Sequence, residues 1–122
     1  MEKQKKQNIG DWLYFCPKEI DVRDLYEVVS GTYETEIWED AGVLEIVLGE
    51  KSSVDIERAQ IHPKDEITSA FAKEHKANSV FLVTFAPEDY EVAETLMKQI
   101  LGQHGGIFCG DMEDFMPQVK EA

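Results

Sequence analysis

The chain has 122 residues, the length of one domain. It is 43% hydrophobic and 10% aromatic, which excludes an intrinsically disordered chain. Twelve Lys and Arg against 25 Asp and Glu leave a net charge of −13, a field that repels nucleic acid and anionic membrane and attracts basic partners and cations.

Cys16 and Cys109 are the only cysteines, far too few for a disulfide scaffold. The longest wholly apolar stretch, Val80 to Val83, falls far short of the roughly twenty residues of a membrane span. No apolar segment of a secretory leader follows the polar start, Met1 to Asn8. The expectation is a cytoplasmic protein that binds neither nucleic acid nor membrane.

Residues 1–9 read as a polar tail carrying Lys3, Lys5 and Lys6, and residues 117–122 as a second tail, around one α+β domain over 10–116. Asp11 to Cys16 is an aromatic-rich apolar run stopped by Pro17, and predicts a buried strand. Asp21 then caps a helix, with Asp24 three positions on as its capping-box partner. Val22, Leu25, Tyr26 and Val29 share one face of that helix, and Gly31 is placed to end it in the left-handed conformation.

Thr32 to Trp38 and Val43 to Leu48 both alternate apolar with polar residues, separated by the turn-like Glu39 to Gly42, so they predict a hairpin. A second turn at Gly49 to Ser53 leads to a third meander strand over Val54 to Arg58. Pro63 suits the first turn of a helix whose inner face is Ile67, Ala70, Phe71 and His75. Ser79 to Phe85 is the strongest strand, apolar enough for the centre of a sheet. Pro87 opens the longest helix, with Val92, Ala93, Leu96 and Ile100 inward and Gly102, Gly105 and Gly106 at its end. Ile107 to Gly110 is a last short strand. The expected fold is α+β, a mixed or antiparallel sheet with helices packed on one face, in ferredoxin-like βαββαβ order plus an extra helix and strand.

The hairpin carries the main candidate site. No basic residue lies between Arg23 and Lys51. With Glu39 to Gly42 as the turn, Trp38 pairs with Val43 and Glu36 with Glu45. One face then holds Tyr33, Thr35, Ile37, Leu44, Ile46 and Leu48, and must be the core face. The other holds Glu34, Glu36, Trp38, Val43, Glu45 and Val47. Carboxylates opposed across a hairpin destabilise it, and a tryptophan among them is an interface anchor. The opposing reading buries Trp38 against a neighbouring helix or the tail and leaves the acids merely solvated. Trp38, Glu34, Glu36, Glu39, Asp40 and Glu45 are therefore the candidate partner-binding residues.

The other constellations are weaker. His104, Cys109 and Asp111, with Glu113 and Asp114 beyond, are metal-ligand types, but their spacing matches no standard zinc or calcium site. A thiolate nucleophile needs an electropositive setting, which this acidic chain does not offer. The glycines after the long helix match neither a P-loop nor a dinucleotide fingerprint, so no catalytic residue and no cofactor is assigned. The expected function is a non-enzymatic acidic interaction module, of the immunity or inhibitor type, binding a basic or mixed-charge protein through the hairpin face. The alternatives are a small-ligand or metal-binding regulatory domain built as a ferredoxin-like homodimer, and a small enzyme with its site near His104, Cys109 and Asp111.

Overall fold

The structure, a computed structural model, describes residues 11–112 and 114–120; the expected N-terminal tail, residues 1–9, and Glu113 lie outside the described residues. The chain order is β1 (Asp11–Cys16), α1 (Val22–Val29), β2 (Glu34–Trp38), β3 (Val43–Val47), β4 (Ser53–Arg58), α2 (Glu66–Glu74), β5 (Ser79–Thr84), a 3-10 turn (Pro87–Asp89), α3 (Tyr90–His104), β6 (Ile107–Gly110) and β7 (Gln118–Lys120). The strands form one seven-stranded antiparallel sheet in the order β2-β3-β4-β5-β1-β6-β7.

The α+β class stands, but three features of the expected architecture do not. The sheet is larger than expected and lacks the ferredoxin-like order. Ser53–Arg58 is a full strand, and it joins the meander to β5, so β3 never neighbours β1. The segment expected as a C-terminal tail supplies β7, whose Val119 is buried.

The helices do not all lie on one face. α1 and α3 pack on the side of Trp12, Tyr14, Leu44, Ile46, Ile56, Phe81, Val83 and Phe108. α2 lies on the opposite side, where Phe71 and Ala72 meet Leu13, Phe15, Ile107 and Cys109, with Val80 and Leu82 packed alongside. The physical reason is the composition of β1 and β5. Both are apolar on both faces, so a helical layer on one side would leave Leu13, Phe15, Val80 and Leu82 in water.

Local chemistry explains the element ends. Asp21 makes the expected capping box: it accepts from the Val22 N–H at 2.8 Å, and the Asp24 carboxylate accepts from the Asp21 N–H at 2.9 Å. α1 then ends at Ser30 in right-handed geometry, and Gly31 does not take the left-handed conformation expected of it. α2 starts later than Pro63 suggested, because Asp65 is the cap, accepting from the Thr68 N–H at 3.0 Å. Of its expected inner face, Ile67 and Ala70 are exposed and His75 is half-buried, while Phe71 and its neighbour Ala72 are buried. Val92 is likewise exposed, while Ala93, Leu96 and Ile100 are buried as expected. α3 closes at Gly105, where φ is 75°, and the Tyr14 hydroxyl donates to the Gly105 carbonyl at 2.7 Å.

Candidate functional site

Because α2 covers only the β1–β5–β6 part of its side of the sheet, the same side of β2, β3 and β4 carries no helix among the described residues. The strand pairing there follows the expected register: Glu34 faces Val47, Glu36 faces Glu45, and Trp38 faces Val43. Leu44 and Ile46 point into the core with α1 and α3, so Glu34, Glu36, Trp38, Glu45 and Val47 point to the open side. Trp38 is 47% exposed, and among the described residues no helix buries it; the N-terminal tail, its other expected cover, lies outside them.

The third strand continues this face. Val54 and Ile56 are buried, so Ser53, Asp55 and Glu57 turn outward, with Asp55 beside Glu45 and Glu57 beside Val43. Asp55 and Glu57 were not among the candidates read from the sequence. The signal was the alternation of Val54 to Glu57, readable once that segment is a strand.

Carboxylates therefore run in a row across the strands. Glu36 opposes Glu45, Glu45 opposes Asp55, and Asp55 and Asp11 flank Thr84 from either side. Neighbouring strands lie about 4.8 Å apart, so Glu36, Glu45 and Asp55 stand close to one another, while Thr84 separates Asp55 from Asp11. Every charged residue on the open face of β2, β3 and β4 is acidic. The one cation of these strands, Arg58, points to the other side. It forms a bidentate pair with Asp21, Nε to Oδ1 at 3.0 Å and Nη2 to Oδ2 at 2.7 Å. The Arg58 guanidinium holds the Asp21 carboxyl below the usual carboxylate range.

The same guanidinium also donates to the Glu39 carbonyl at 3.3 Å, and the Arg58 N–H donates to the Gly42 carbonyl at 2.7 Å. Arg58 thus ties the hairpin turn to the cap of α1. Gly42, at φ 69°, makes room for it: a Cβ there would stand 2.8 Å from Arg58 Cζ. Glu39 lies at the turn with its carboxylate 3.6 Å from Arg23, so its charge is partly balanced; Asp40 is exposed beside it.

The row ends near a second acidic group. The Asp111 N–H donates to the Asp11 carbonyl at 3.1 Å. Burial pushes the Asp111 carboxyl up, and the charges of Asp11 and Asp65 push it further. Asp65, Ile67, Thr68, Met112, Asp114 and Phe115 line an open cleft of about 690 Å³ with it.

The weak metal candidates are not brought together. Cys109 is buried on the α2 side of the sheet. Burial, and then the Asp111 charge, push its thiol up to about 12, which leaves it without thiolate character at neutral pH. His104 lies at the end of α3 on the other side, beside Asp24 and Glu27. Asp111 faces its own cleft. Among the described residues no group of three or more His, Cys, Asp and Glu is arranged to hold a metal ion. Among them, too, no helix is long and apolar enough to cross a membrane.

No protein-family model, no curated protein and no solved structure matches this chain.

Proposed function

We propose that this protein is a non-enzymatic interaction module that binds a basic partner protein on the open face of β2, β3 and β4. Trp38 is the anchor, and Glu34, Glu36, Glu45 and Asp55 supply the complementary field, with Glu39 and Asp40 at the rim. The observation that carries this reading is an exposed tryptophan on the face of β2, β3 and β4 that no described helix covers and whose charged residues are all acidic. Exposed aromatics on such a face are characteristic of interface centres, and uniform charge speeds encounter with an opposite surface. A functional reason also accounts for Glu36, Glu45 and Asp55 standing side by side at a cost in stability.

The concrete form of this reading is an immunity- or inhibitor-type protein that neutralises a cationic toxin or nuclease. It places the protein in a reducing cytoplasm, where Cys16 and Cys109, both free and buried, remain thiols.

The test is affinity capture at low salt, followed by association kinetics with the purified captured protein. Wild type is expected to retain a basic protein that Trp38→Ala and the double variant Glu36→Lys, Glu45→Lys both lose. Its association rate is expected to fall steeply as salt rises. Equal binding by wild type and both variants would place the partner elsewhere and remove the reading.

A further inference from the structure

We infer that the outer edge of β2, unpaired among the described residues, is a strand-addition site, and that its occupant is an extended partner segment with Lys or Arg at alternate positions and apolar residues between them. This inference rests on the reading above and specifies how the basic partner binds.

β2 is the first strand of the sheet order, so among the described residues only β3 pairs with it. The direction of its backbone groups follows from two bonds. The Arg58 N–H donates to the Gly42 carbonyl, and the Leu48 N–H to the Ser52 carbonyl, at 2.7 and 2.9 Å. In an antiparallel ladder, successive residues of one strand bond to opposite neighbours. Even-numbered β3 residues therefore bond to β4, and Val43, Glu45 and Val47 bond to Trp38, Glu36 and Glu34 of β2. The N–H and C=O groups of Thr35 and Ile37 then point away from the sheet, available to another strand.

The side chains along this edge specify the occupant. In an antiparallel addition, directly opposed residues share a face. Residues opposite Glu34 and Glu36 lie on the open side, where cations match. Residues opposite Thr35 and Ile37 lie on the α1 side, where Tyr33 and Ile37 are half-buried against the core and present apolar surface. Trp38 stands at the turn end of this edge, on the same face as Glu34 and Glu36. A second copy pairing through β2 would set its own Glu34 and Glu36 beside these acids, which like-charge repulsion opposes. A five-residue strand with two glutamates is also how proteins blunt an edge, but a blunted edge does not need an exposed tryptophan at its end.

The probe is the end-blocked peptide Lys-Val-Lys-Val-Lys-Val-Lys, added in excess to the full chain at low salt, with amide exchange read residue by residue by NMR. The expected result is slowing of Thr35 and Ile37 exchange by about ten-fold or more. N-methylation of the peptide's valines, whose amides face β2, is expected to abolish that protection. N-methylation of its lysines, whose amides face away, is expected to leave it intact. Shifts at the Trp38 indole and at Glu36 and Glu45 without protection of Thr35 and Ile37 would overturn strand addition and leave the basic-partner reading standing. Equal protection by the peptide with glutamate in place of lysine would overturn the charge reading beneath both. Protection already present in the free protein would also overturn the inference. If it rises with concentration, the occupant is a second copy; if it does not, the occupant is this chain's own. A peptide that neither binds nor protects overturns strand addition outright.

Discussion

Gly106 joins α3 to β6 at φ 101°, a conformation in which a Cβ would run into the Phe15 carbonyl oxygen and stand 3.0 Å from Tyr14 Cε1. Gly106→Ala therefore combines backbone strain with a clash against rigid main chain. The expected loss is on the order of 3 kcal/mol, read as a fall in the urea midpoint with an unchanged slope. Asp111 has the opposite sign. Its pKa is raised in the folded protein, so its contribution favours folding only while it is protonated, below that pKa, and is lost as pH rises through it. Asp111→Asn is expected to raise the urea midpoint at neutral pH, and the gain should vanish as pH falls through the carboxylate range, about 3 to 5. Asp111 is only partly covered and keeps contact with water, so the gain is small. Asp21 titrates the other way. Its lowered pKa gives stability that is present above the ordinary carboxylate range and lost on acidification through the depressed value, a contribution that Arg58→Met would remove.

The hairpin element couples stability to binding. Glu36 and Glu45 face each other across β2 and β3, with Asp55 next in line. Glu36→Thr puts a good strand former in place of a repelled charge. It is expected to raise stability by about 0.5 kcal/mol at low salt while weakening partner capture. Thermal melts and binding on the same variant check both halves; a variant gaining stability with binding intact would make those carboxylates incidental. This register was legible in the sequence, because two alternating runs around the turn at Gly42 admit one pairing that buries Leu44 and Ile46. The exposure of Trp38 was not, since it depends on where α2 lies. α2 was misplaced for a local reason: Ile67 and Ala70 fit a helical stripe, yet the helix meets the sheet through Phe71 and Ala72 alone. β7 left no trace, as Gln118 and Lys120 flank only one buried residue, Val119. The layering was half legible. The apolar runs of β1 and β5 required cover on both faces, a demand that a one-sided helical layer could not meet.

At the scale of the whole molecule, the charge of −13 acts on folding and on association with opposite signs. Added salt screens self-repulsion and is expected to raise the melting temperature of the free protein, while the same salt slows encounter with a basic partner. One salt titration reading both quantities checks this; parallel trends would mean that the acidic surface does not drive binding. The position of β1 has a different consequence. Cys16 pairs with Ser79 and Phe15 with Ile107, so the earliest strand sits between two of the latest. During synthesis, Trp12 to Cys16 emerges long before either partner, while β2, β3 and β4 can close as a local meander. The chain thus carries an aromatic, unpaired segment until residues 79–110 have been made, and its folding must wait on contacts between distant parts of the sequence. A circular permutant that starts at the Gly49 turn brings β1 after β5 and β6, and is expected to lose that early exposure and to aggregate less during cell-free translation.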